Sequence, residues 1–292
     1  MTDRSAPAAR RPAAGRGSAS VAAIWSALDG VRDPEVDQPI TAMGFVAVVE
    51  ERSEGVHVAL RLPTYFCAPT FTYLMMAEAR AAVETVAGPG RAHVELADHA
   101  DATTLNEGVA AGAEFAAIFP GQATGGLGDV QDRFRRKTFL VRQERLCREL
   151  EAARGSAPDL LGLTLADLPP SRRTSEYVQA RGALGLDCRP QEPFLVAADG
   201  APVTADRLRL HRRAASVLTL SYESNGVLCH TLLTARYGPD GTKEPSLRPT
   251  STKRDAIPRN TNGDKPPGRG PREVLERSDQ NFVGCRTRGV TA

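Results

Sequence analysis

The chain has 292 residues, 37 Lys/Arg against 35 Asp/Glu, a formal net charge of +2, and 41% hydrophobic and 25% charged residues. That is a globular composition, long enough for one or two domains. The near-balance of charge excludes the strong basic excess of a dedicated DNA-binding protein, and no run approaches the roughly 18 apolar residues of a membrane-spanning helix.

The charge is unevenly spread: residues 1–20 carry +3, residues 239–292 carry +4 and the interior carries −5. Both ends are rich in Pro, Gly, Ser and Thr and poor in large apolar side chains. Such segments bury too little surface to offset chain entropy, so disordered basic tails are expected over 1–19 and 239–292. The opening Ala/Pro/Arg tract lacks an apolar signal core, and no apolar stretch follows Arg10-Arg11, so a cytoplasmic location is expected.

Val21, Ile24, Trp25, Leu28 and Val31 have helical spacing, with Ser20 as N-cap. Asp33-Pro34-Glu35 follows as an acidic turn. Residues 44–50 and 56–62 are β-rich runs joined by a hairpin connection, and Pro63 stops the second. Residues 69–86 read as a helix with Pro69 in its first turn, Gly88-Pro89-Gly90 breaks it, and 91–97 is a third strand. The order predicts a small α-β-β-α-β domain with a mixed sheet over 20–101, an α/β (α+β) fold. A helical extension is expected over 102–170, with a helix at 103–118, a Gly-rich break at 121–128 and a basic amphipathic helix at 129–154. Residues 171–238 read as a further α+β region. Strands are expected there at 194–198, 216–222 and 227–235, with an Arg-rich helix at 204–214.

The topology places residues. A hairpin is antiparallel, and a helical crossover makes the second and third strands parallel. The acidic turn, Thr64-Tyr65-Phe66-Cys67 and Asp98-His99 therefore converge at one sheet edge, where ligand sites of α/β sheets favour strand carboxyl ends. Cys67 stands just ahead of a helix, whose N-terminus favours thiolate, both nucleophile and soft metal ligand. Asp33, Glu35, Asp98 and His99 can supply harder ligands or proton acceptors. The competing reading of Cys67 is a small buried hydrophobe. The other cysteines (Cys147, Cys188, Cys229 and Cys285) form no CxxC pair, so neither a disulfide framework nor a four-cysteine zinc site is expected. Adjacent Cys229 and His230 would face opposite sides of a strand. The glycines of 121–128 lack the G-K-[ST] of a phosphate loop, and no serine sits in G-x-S-x-G.

The run WSALDGVRDPEVDQPITAMGFVAVVE, the second strand, the Cys-and-Pro helix start and AAVETVAGPGRAHVEL resemble the metal–sulfur (iron–sulfur) cluster assembly accessory family, domain of unknown function 59, SufT/PaaD-like. In that family the cysteine is followed directly by proline, whereas Ala68 intervenes here, and Asp98-His99-Ala100-Asp101 replaces a tryptophan after the third strand. The resemblance implies an assembly factor rather than an enzyme. It would aid cluster assembly or metallocentre maturation of a client metalloprotein, a multicomponent oxygenase being one such client. Cys67 would be the metal or persulfide contact and Asp33, Pro34 and Glu35 would shape the site; Asp98 and His99, placed there by the topology and not by the resemblance, are weaker candidate ligands. The implied cargo is a transient iron–sulfur cluster or iron. One thiolate cannot enclose a cluster that takes four, so other cluster-assembly proteins, the client or a homodimer would complete the ligation. Membrane and nucleic acid are not expected partners. The alternative is a non-catalytic adaptor that binds a partner through the helical extension without metal.

Overall fold

The computed structural model describes residues 20–121, 126–154, 159–239 and 241, so the tail expected over 1–19, and all of the one expected over 239–292 except residues 239 and 241, lie outside the described residues. Helix α1 (Val21–Leu28) begins where Ser20 Oγ accepts a hydrogen bond from the Ala23 N–H at 3.2 Å, and it buries Ile24 and Leu28. Strands β1 (Val46–Arg52) and β2 (Gly55–Leu60) form the hairpin, α2 (Pro69–Ala87) is the crossover, and β3 (Ala92–Leu96) completes a sheet of order β1-β2-β3. β1 and β2 are antiparallel and β2 and β3 parallel, as expected from the chain order; Leu60 pairs with both Val46 and Leu96. The chain thus leaves β2 and β3 at the same edge at which it enters β1. Every residue of β2 is buried, as befits a central strand. The open edge of β3 is blunted by Asn106, whose side-chain amide accepts from the Leu96 N–H at 2.7 Å and donates to its carbonyl at 3.2 Å.

The single helix expected over 103–118 is two, α3 (Ala102–Ala110) and α4 (Phe115–Ile118). Gly112, at φ +69°, turns the chain between them, and the Ala113 carbonyl accepts from Tyr73 Oη at 3.0 Å. This break lets Phe115 and Phe119 join the core of the sheet domain.

Helices α5 (Gly126–Arg154), α6 (Arg172–Ala183) and α7 (Ala205–Tyr237) follow, with α5 packed on both α6 and α7. They enclose a second apolar cluster that includes Phe139, Leu146, Leu150, Tyr177 and Phe194. Inside it, buried Gln143 donates to the Val196 carbonyl at 3.0 Å and accepts from His211 at 2.7 Å. Glu144 receives Arg212 at 2.6 Å and Ser216 at 2.8 Å, tying α7 to α5. The apolar side of α5 is therefore occupied by its own neighbours rather than presented to a partner.

The three strands expected beyond residue 190 are not there. Residues 194–198 are extended but form only an isolated bridge, Val196 to Pro202, and plug Phe194, Leu195 and Val196 into the second cluster. Residues 216–222 and 227–235 are one continuous helix, α7. Their β-branched and apolar side chains, separated by Asn225-Gly226, imitate a hairpin locally. Tertiary packing of one helical stripe overrides that preference. The buried positions Ala215, Thr219, Tyr222, Gly226, Leu233 and Tyr237 follow the 3.6-residue period. The outward side of α7 carries Leu210, Val217, Leu220, Val227 and Leu228, each more than half exposed.

Candidate functional site

Cys67 lies in the loop from β2 to α2. Ala68 is the N-cap of α2 and Pro69 its first residue, so the intervening alanine sets Cys67 one residue outside the helix. The thiol is half-buried and lies 3.3 Å from Thr64 Oγ1, and next to it Phe66 is 70% exposed. The loop is tied to the one after β3. The Tyr65 carbonyl accepts from the Ala100 N–H at 2.9 Å, and buried His99 bonds through Nε2 to the Cys67 carbonyl at 2.8 Å. His99 Nδ1 accepts from the Asp101 N–H at 3.0 Å. That contact puts the ring proton on Nε2 and makes Nε2 the donor to Cys67. Both ring nitrogens are thus committed to backbone, and His99 acts here as the brace of the cysteine loop. His99→Ala is expected to raise the alkylation rate of Cys67 severalfold, and His99→Gln, which keeps an amide donor, to restore much of the native rate. Peptide-resolved mass spectrometry of a timed iodoacetamide reaction reads both.

Asp98 is also committed. Its carboxylate meets Arg236 of α7 at 2.7 Å, with both side chains largely buried. Arg236 donates as well to the Leu62 carbonyl at 3.0 Å and the Asp98 carbonyl at 2.9 Å, and its guanidinium lies over the rings of Tyr65 and Tyr237. One arginine therefore clamps the exits of β2 and β3. The chain order gives no hint of this contact, because Arg236 is more than 130 residues from either strand end.

The acidic turn is held from within and from α5. Buried Asp33 Oδ1 accepts from the Glu35 N–H at 2.8 Å and the Val36 N–H at 3.0 Å. Burial pushes its carboxyl above the usual range, outweighing those two bonds. Glu35 stands at the surface, and partial burial together with the Asp33 charge raises its carboxyl too. Asp37, at φ +55°, is the one non-glycine residue with positive φ among the described residues. Its carboxylate, 2% exposed, receives Arg142 at 2.7 Å, Arg145 at 3.2 Å and Arg32 at 3.3 Å. A cleft of about 280 Å³ opens beside Asp33 and Pro34, lined also by Leu74, Glu78 and Phe134.

Helix α7 covers the site. Tyr222 Oη donates to the Pro34 carbonyl at 3.3 Å. At Gly226 a Cβ would stand 2.9 Å from the Gln38 side chain and 3.0 Å from Val36, so the glycine, unfavourable in a helix interior, is there for close approach. Gly226→Leu is expected to cost roughly 1–3 kcal/mol by overpacking, read as a lower urea midpoint at unchanged slope. Cys229 is one turn on, half-buried against the same apolar cluster as Cys67.

The Cys67 loop and the loop after β3 thus meet at one edge, where Asp98 pairs with Arg236 and His99 with backbone, and Cys229 lies on α7 between that helix's contacts to the acidic turn and to this edge. Among the described residues, no three or more His, Cys, Asp or Glu side chains are grouped to hold a metal ion. Arg236, Asp37 and Gly226 were missed by sequence reasoning, and Cys229 was set aside because residues 227–235 were read as a strand; the signal available for Arg236, Gly226 and Cys229 was the helical period of residues 215–237. Residues 21–96 match the model of a family described as iron-sulfur cluster assembly protein. Neither the curated proteins nor the solved structures contain a match to the chain.

Proposed function

We propose, because residues 21–96 match a family described as iron-sulfur cluster assembly protein, that this chain is an accessory factor that takes up iron or an iron–sulfur cluster as cargo at Cys67 and passes it to a client metalloprotein. The observation that carries the reading is the placement of Cys67. It is a half-buried thiol on the loop between β2 and α2, inside the matched span, with its carbonyl held by His99. A thiolate is the soft ligand that iron and clusters prefer. The acidic turn of Asp33 and Glu35 would add negative charge toward an incoming cation. A centre with few ligands from this chain leaves coordination positions for the donor and the acceptor, which suits handover better than storage.

The adaptor reading draws on a different surface. The outward stripe of α7 is apolar along several turns, and exposed apolar patches mark protein contact surfaces. The two readings part on one measurement, the absorbance of purified protein after anaerobic addition of ferrous iron and sulfide. A visible chromophore that disappears in Cys67→Ser supports the cargo reading. No chromophore, together with stable client binding, supports the adaptor.

A further inference from the structure

Cys229 lies outside the family-matched span, and nothing above gives its thiol a task. Helix α7 positions it from both sides. On the two turns before it, Tyr222 bonds the Pro34 carbonyl and Gly226 presses on Val36 and Gln38. On the turn after it, Leu233 comes within contact of Gly44, and Arg236 grips the carbonyls of Leu62 and Asp98 beside the Cys67 loop. Positions 222, 226, 229, 233 and 236 share one helical stripe, because side chains three and four apart lie above one another. The side chain at 229 is therefore delivered between the acidic turn and the cysteine loop. Cys67 and Cys229 also pack on one apolar cluster. The charges of Cys67, Asp33 and Glu35 all act on the Cys229 thiol and, after the larger effect of burial, help push it up to about 11.

We infer that Cys229 is the second thiol of the Cys67 site and that the two sulfurs together bind a thiophilic metal, as ferrous iron or the iron of a cluster. This deepens the cargo reading and rests on it. Binding is ligand exchange without redox: two S–H bonds break, two S–metal bonds form, and two protons leave to solvent. Two sulfurs leave at least two positions of a tetrahedral metal open to sulfide or to the client's ligands.

The test uses the full chain carrying Cys188→Ser and Cys285→Ser, under anaerobic conditions, with Co²⁺ alone as probe and the sulfur-to-cobalt charge-transfer band as readout. Cys67→Ser and Cys229→Ser are each expected to remove about half of the band and to weaken cobalt binding about tenfold or more, since even an outer partner of a metal ligand is worth that much. If Cys229→Ser keeps the band and the affinity of the background while Cys67→Ser loses both, the inference is overturned and the cargo reading stands. If neither substitution alters the band, both are overturned. Because Cys229 is half-buried, a measurement without substitution runs beside these, in which cobalt is titrated against alkylation of the unaltered chain. Protection of Cys67 and Cys229 with one midpoint is the expected result; protection of Cys67 alone overturns the inference.

Discussion

Cys67→Ser is expected to abolish maturation of the client in cells while leaving stability within about 1 kcal/mol of the parent chain. The substitution exchanges one atom, at a half-buried position, and a serine hydroxyl can keep the contact that the thiol makes with Thr64 at 3.3 Å. The His99 bond goes to the backbone carbonyl of residue 67, so the brace survives. What is lost is the soft, ionisable sulfur, which a serine oxygen does not replace as a ligand for iron. The comparison is client activity and client iron content in cells carrying each form, with circular dichroism and thermal unfolding of the purified variants. Full client maturation by a folded Cys67→Ser chain would remove the cysteine from the mechanism.

The largest expected effect on stability is at Asp37. Its carboxylate is 2% exposed and is the shared partner of Arg32, Arg142 and Arg145. Removing the shared carboxylate of a buried ionic group leaves guanidinium charges short of a partner, which costs roughly 3–5 kcal/mol, less what Arg32 and Arg142 keep through Glu176. Asp37→Asn is the informative change. Asparagine tolerates positive φ about as well as aspartate, so the φ of +55° adds little and the loss reports the charge. The expected result is a large fall in the urea midpoint at unchanged slope, together with a looser acidic turn, since Asp37 is its tie to α5. A change below about 1 kcal/mol would mean that the three arginines find other partners.

The sheet edge was legible because two general rules govern it. A short connection makes β1 and β2 antiparallel, and a helical crossover makes β2 and β3 parallel. These rules alone bring the entry of β1 and the exits of β2 and β3 together, and the register agrees, with Leu60 opposite both Val46 and Leu96. The uses of those residues were less legible. Asp98 and His99 have the chemistry of ligands; in the structure Asp98 is ion-paired with Arg236 and both ring nitrogens of His99 meet backbone groups, and only the tertiary structure contains those partners. α7 was misread as strands for a related reason. Around Asn225-Gly226 the local composition is that of a hairpin, whereas the feature that decides the matter, a glycine pressed on Val36 and Gln38, depends on residues about 190 positions earlier. The helical period was present in residues 215–237, without a visible surface to pack on.

The most direct measurement of the central claim is transfer. Purified chain is loaded anaerobically with iron and sulfide, separated from unbound ions and mixed with an apo iron–sulfur acceptor, whose filling is followed by its own visible circular dichroism. The loaded chain is expected to fill the acceptor faster than the same amounts of iron and sulfide in solution, and Cys67→Ser is not. Equal filling by the serine variant, or a rate no greater than that of the ions alone, would contradict the claim.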